Sequence, residues 1–212
     1  MQLKMVKCSN CKQTGHNKAK CPNEAYVEPL IQEAAPVKIR LTQVVSQRLA
    51  KLESLCQEVA THMGKGHVEG VYQQALCCEL QEAAIRYVSE ETMPILYKGR
   101  PIGGGHSQRL DIVVMPEWLP FIFELKAEPN QIKPKHHWQV VRYMTYKGLP
   151  YGAVVNFNQS ERGAFQMQFI VLQEGRHYLY DPETQTGREL LDFSMTKGAE
   201  AMSDDDGSTE EE

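Results

Sequence analysis

Val44, Val45, Leu49, Leu52, Cys56 and Val59 recur at close to 3.6 residues, which predicts a helix over about 38–63. Gly64 and Gly66 break that period, and a second helix is expected over about 67–84. The spacing then shortens, and short strands are expected at 85–88, 95–97, 109–115 and 121–126. Pro134 opens a third helix that runs to Lys147, with Gly148 as its stop. Strand-like runs follow at 153–157, 165–172 and 177–180, and no order is expected beyond about Thr184. Two helices, three or four strands, one helix and three more strands predict a mixed α/β fold with one central sheet.

One strand breaks the apolar rule. The run "FIFELK", residues 121–126, ends in two opposite charges. Side chains alternate along a strand, so Phe121, Phe123 and Leu125 share one face while Glu124 and Lys126 share the other. A buried charge without a partner costs several kcal/mol. These two residues therefore either pair structurally or belong to a site. The preceding strand contains "RLDIVV", and "MPEWLP" between the two reads as a turn. A hairpin symmetric about Glu117 and Trp118 sets Asp111 directly opposite Glu124, with Cβ atoms about 5 Å apart. Carboxylates so close repel unless one holds a proton or a cation lies between them. Hard oxygen ligands favour Mg²⁺ or Mn²⁺. With Lys126 beside them, they form a set suited to phosphodiester hydrolysis, in which the cation acidifies water and neutralises developing charge. A structural cluster with Arg109 opposite Lys126 is the alternative.

Two helices add polar groups on apolar faces. Glu69, Tyr72 and Leu76 share a face by spacing, and so do His136, Gln139 and Tyr143. A common polar pocket between helices and sheet would satisfy all of them.

The chain has 212 residues, enough for one domain with appendages, and its 42% hydrophobic and 24% charged residues are those of a globular protein. No apolar run reaches the ~18 residues of a membrane span, and "MQLKMVK" at the start lacks a signal-peptide core. An intracellular, reducing compartment is expected, whether nucleus, cytoplasm or viral particle, so the six cysteines are not read as a disulfide framework. Cys56, Cys77 and Cys78 are expected to be small buried hydrophobes on helices. Net charge is −4, but the final "SDDDGSTEEE" holds six acids; without it the chain has 21 acidic and 23 basic residues. The first 22 residues carry five lysines and no acid.

That basic head includes "CSNCKQTGHNKAKC", with Cys8, Cys11, His16 and Cys21 spaced C-x2-C-x4-H-x4-C. Four soft ligands within fourteen residues suit tetrahedral Zn²⁺, whose binding would fold a segment too short for a core. The unit resembles a retroviral-type CCHC zinc knuckle, a resemblance that implies grip on single-stranded nucleic acid through Lys7, Lys12, Lys18 and Lys20. It lacks the aromatic residues such knuckles use for base stacking, so electrostatic binding or a protein contact is expected of it. The expected organisation is a knuckle over 1–22, a linker over 23–38, a catalytic-type domain over 39–183 and an acidic tail over 184–212, the tail being a second surface open to protein partners.

"GHVEGVY", "YKGRPIGGGHSQRLDIVV", "FIFELKA", the His136-x-x-Gln139-x-x-x-Tyr143 pattern and "GAVVNFN" occur in this order. Together they resemble the GxxExxY proteins of the PD-(D/E)XK nuclease superfamily over roughly residues 49–158. The resemblance implies a restriction-endonuclease-like core, a mixed central sheet flanked by helices, with divalent-metal catalysis on nucleic acid. It implies Asp111 and Glu124 as metal ligands, Lys126 as catalytic lysine, Glu69 as the helix-borne acid, and Gln139 and Tyr143 as the Q-x-x-x-Y pair. A Mg²⁺- or Mn²⁺-dependent nuclease is therefore expected, acting on DNA first and RNA second. A nucleic-acid-binding or packaging adaptor that uses the fold without turnover is the alternative.

Overall fold

The computed structural model describes residues 35–98 and 100–190, and everything below concerns those residues. Eleven elements occur in the order β1 (Val37–Lys38), α1 (Gln43–Met63), α2 (Glu69–Glu82), β2 (Tyr87–Tyr97), β3 (Arg100–Val114), β4 (Phe121–Lys126), α3 (Pro134–Lys147), β5 (Tyr151–Asn156), β6 (Gln166–Gln173), β7 (Arg176–Asp181) and β8 (Thr186–Glu189). The strands form one sheet in the order β1-β8-β7-β6-β5-β4-β3-β2. Only β4 and β5 run parallel, joined through α3; every other neighbouring pair is antiparallel.

Strand alternation divides the core in two. Phe121, Phe123 and Leu125 pack with Leu52, Cys56, Val59, Tyr72 and Leu76 of α1 and α2. Ile122 packs on the opposite face with Val140, Val141 and Met144 of α3. The sheet is thus flanked by helices on both faces, the mixed α/β architecture expected from the element order.

Local chemistry explains several element ends. The Thr42 hydroxyl accepts from the Val45 N–H at 3.3 Å and starts α1 at Gln43, five residues later than the periodicity placed it. Gly148 is left-handed (φ 65°), and its N–H donates to Met144 O, closing α3. Gly152 lets α3 approach the sheet. A Cβ there would lie 2.7 Å from Val140 Cγ1 and 3.2 Å from both Ile122 O and Met144 Sδ. Gly152→Ala is expected to destabilise the fold by about 1–3 kcal/mol, read as a lower midpoint in thermal unfolding. An unchanged midpoint would show that the helix can retreat without cost.

Four expectations need correction. Residues 87–88 of the first expected run and all of 95–97 belong to the single long strand β2, where Pro94 is tolerated because β2 is the sheet edge, while 85–86 lie before it. The stretch between the expected strands at 95–97 and 109–115 is itself strand from Arg100 on. The pairing shifts from Pro94↔Ser107 to Ile95↔Ile102, so 103–106 bulge out of the ladder. Val37 and Lys38 pair with Gly187 and Thr186, so strands lie within both the expected linker and the expected tail. Finally, Cys56 is buried, but Cys77 is half-buried and Cys78 exposed.

Cys8, Cys11, His16, Cys21 and the lysines around them lie outside the described residues, as does the acidic end from residue 191. No helix among the described residues is long and apolar enough to cross a membrane.

Candidate active site

Asp111 sits at a break in two ladders. On one side the pairs Ser89↔Ile112 and Glu91↔Leu110 skip it, and Glu90 across from it is left-handed (φ 57°). On the other, pairing with β4 ends at Ile112↔Phe123. Continuing that register sets Asp111 beside Glu124, the alignment the symmetric hairpin predicts. Freed from the ladder, the Asp111 side chain reaches further: its Oδ2 accepts from the Leu125 N–H at 2.7 Å. Gln73 of α2 donates to the Asp111 carbonyl at 2.9 Å and fixes the backbone from behind.

Glu124 lies on the α3 face of the sheet and is only 1% exposed. Its Oε1 accepts from Lys126 Nζ at 2.5 Å, while its buried Oε2 has no hydrogen-bond partner. Lys126 Nζ also donates to the Leu125 carbonyl at 2.6 Å and lies 3.4 Å from Glu69 Oε2. Glu69 comes from the first turn of α2 and remains partly open to solvent. Arg109, weighed as a neighbour for Lys126, instead pairs with Glu90 at 3.5 Å.

Burial and mutual repulsion dominate the electrostatics. Desolvation, aided by the Asp111 charge and opposed by Lys126, pushes the Glu124 carboxyl up to about 8. Burial also raises Asp111, against the pull of the Leu125 N–H and Lys126. Glu69 is raised by burial as well. For Lys126, burial works to lower the pKa, but the Glu124, Glu69 and Asp111 carboxylates outweigh it and the ammonium is stabilised.

Helix α3 closes the site. Gln139 Nε2 donates to the Tyr143 hydroxyl at 2.9 Å, and that hydroxyl donates to the Arg109 carbonyl at 3.3 Å. The pair thus braces β3 two residues before Asp111 and bonds neither carboxylate. Glu69, Asp111, Glu124, Lys126, Gln139 and Tyr143 all line one open cleft of about 520 Å³. Tyr72, grouped with Glu69 by spacing, points elsewhere: its hydroxyl donates to Gly64 O and its ring stacks on Phe157 at 4.5 Å.

The cleft also contains Glu128, Lys135, His136 and Arg142. Sequence reasoning named His136 only as part of a helix face and missed the other three. Lys135, Gln139 and Arg142 follow one another at i, i+4, i+7, a spacing that could have placed them on the same face as the Q-x-x-x-Y pair.

The donor set facing the cleft fits a hard cation. It is built of oxygen atoms, and Glu124 Oε2 is a buried acceptor that nothing in the protein satisfies. Among the described residues no three His, Cys, Asp or Glu side chains form a ready-made ion cage.

No curated protein matches the chain. The sequence profile described as the PD-(D/E)XK nuclease superfamily matches residues 46–167, more than half of the 212 residues, and the match contains every element that builds the cleft. A sheet flanked by helices, with its acidic pair and lysine on adjacent strands, agrees with that match, and the chain belongs to the PD-(D/E)XK nuclease superfamily.

Proposed function

We propose that the protein is a Mg²⁺- or Mn²⁺-dependent nuclease that hydrolyses phosphodiester bonds, in DNA before RNA, and that it is of the GxxExxY type. One observation carries this reading. Asp111, Glu124 and Lys126 converge on one cleft, and a buried Glu124 oxygen is left without a partner. An adaptor without turnover has no need to maintain so costly an acceptor.

Asp111 and Glu124 would hold the cation, which when bound acidifies water and offsets charge in the transition state. Lys126 places a stabilised positive charge between the carboxylates and the open cleft, where it can receive a phosphoryl oxygen. Glu69, at the rim, orients Lys126 and can accept a proton from water. Gln139 and Tyr143 hold the backbone at Arg109 and so position Asp111. The set Cys8, Cys11, His16 and Cys21 would bind Zn²⁺ as a knuckle, and Lys7, Lys12, Lys18 and Lys20 would raise the local concentration of nucleic acid near the cleft.

Incubating the purified full chain with end-labelled single- and double-stranded DNA and RNA tests the reading. Products are expected only with Mg²⁺ or Mn²⁺, and more with DNA. Binding without products at any concentration of either cation would leave the adaptor in its place.

A further inference from the structure

Three groups in the cleft have no role in the chemistry above. His136 is 3% exposed and its Nε2 has no hydrogen-bond partner. Its other nitrogen is committed: Nδ1 accepts from the Lys133 N–H at 3.2 Å, at the first turn of α3. An acceptor Nδ1 puts the ring proton on Nε2. Burial lowers the pKa of His136, so the ring is neutral near pH 7. Nε2 is therefore an N–H donor, buried in the wall of the cleft and without a partner, and is not a lone pair for a metal. Glu128 Oε1 lies 3.7 Å away, too far for a hydrogen bond, on a side chain one-third exposed that can turn into solvent.

Lys135 and Arg142 line the same cleft. At 100° per residue, Arg142, Lys135, Gln139, Tyr143 and His136 fall within one third of the helix circumference. Along the axis Lys135 and Arg142 are about 10 Å apart. Neither has an ion-pair partner among the described residues. A helix N-terminal end, a buried unsatisfied N–H and two cations on one face together make a receptor for an anion.

We propose that this face of α3 is a phosphate subsite beside the carboxylate centre: His136 Nε2–H, Lys135 and Arg142 grip a phosphate group of the nucleic-acid strand other than the one being cleaved. The proposal rests on the nuclease reading for the identity of the strand. Division of labour follows from charge. The carboxylate centre offers phosphate little attraction until a cation is present, whereas the Lys135 and Arg142 cations of the α3 face attract it without one. The phosphate held there is either an internal diester or a terminal monophosphate, and both offer the same non-bridging oxygens.

The test measures affinity of the full chain for a labelled DNA tetranucleotide in EDTA, where no cleavage occurs, with 5′-phosphate and 5′-hydroxyl forms compared. Two substitutions separate the donor from the helix cap. His136→Gln keeps both a cap acceptor and a donor, and His136→Glu keeps the acceptor but replaces the donor with a carboxylate that repels phosphate. His136→Glu is expected to weaken binding about tenfold to a hundredfold, while His136→Gln stays within about threefold of the parent. Lys135→Gln with Arg142→Gln should reduce the slope of log affinity against log salt by about 1.4 for a single strand. Glu128→Gln, which removes the nearby negative charge, should tighten binding. With Mn²⁺ present, His136→Glu should raise KM and leave kcat nearly unchanged. A 5′-phosphate preference lost in His136→Glu identifies the terminal group; equal loss for both forms identifies an internal diester. Parent-like affinity for His136→Glu, or equal losses in the Gln and Glu variants, overturns the proposal. Absence of Mn²⁺-dependent products from the parent would count against the nuclease reading alone, because the EDTA affinities still report on the subsite.

Discussion

Glu124→Gln and Asp111→Asn should each abolish cation-dependent cleavage while nucleic acid still binds. Replacing a group behind a metal ligand commonly costs 10–100-fold in metal affinity or activity, so loss of a ligand itself should exceed roughly 100-fold. The direction of the binding effect is equally specific. Asp111→Asn removes negative charge from a cleft that must admit phosphate, and Glu124→Gln replaces a carboxyl that burial keeps protonated near neutral pH without metal, so affinity in EDTA should hold or rise. The amides keep the volume of the acids. In Asp111→Asn the remaining side-chain oxygen can still accept the Leu125 N–H, so the fold is retained. The check is a cleavage time course for each variant beside a binding isotherm. Cleavage persisting in either variant would place the chemistry elsewhere. Loss of binding together with cleavage would point to a damaged fold and not to lost catalysis.

The metal-free protein should lose stability as pH rises from about 4.5 to about 8, and Glu124→Gln should remove most of that loss. Burial, with the Asp111 charge adding to it, raises the folded-state pKa of Glu124 to about 8 from an ordinary 4.5. Within that window the folded state retains a proton that the unfolded state has released. Stability then falls with each step up in pH, is fully present below the unfolded value and is gone above the folded one. The full effect is on the order of 5 kcal/mol. Asp111, also raised, acts in the same direction. Lys126, raised as well, keeps its stabilising charge throughout and loses it only in the alkaline range. Thermal midpoints in EDTA at pH 5, 6.5 and 8 for parent and variant test this. The midpoints should be close at pH 5 and diverge by several degrees at pH 8, the variant being higher. Parallel curves would mean that Glu124 ionises freely in the folded protein.

The strand 121–126 was legible because alternation is a strict rule of the pleat, and a one-residue slip would have buried Lys126 among the phenylalanines. Helix α3 was legible from Pro134 and Gly148, which act through local backbone geometry. The gap expected between 88 and 95 is instead part of β2, where Pro94 is harmless only because the strand lies at the sheet edge, a tertiary fact. The two-residue pairing of β1 with β8 joins positions 150 residues apart, and nothing within either segment announces it. In the site, Asp111 and Glu124 could be aligned by counting through a turn. That Gln139 and Tyr143 brace the Arg109 carbonyl and do not touch the carboxylates depends on how closely α3 packs on the sheet, which Gly152 allows and no periodicity encodes.

The two acids come from strands joined by a short turn, whereas the helix facing them is anchored by the one parallel pairing, Phe121 with Tyr151, thirty residues later. Closing a longer loop costs more entropy, so distant pairings form after local ones. A newly made chain would then hold its acid pair before it has anything with which to grip a strand. The acid pair would precede the helix that faces it, and the β1–β8 pairing across 150 residues would close the sheet after both.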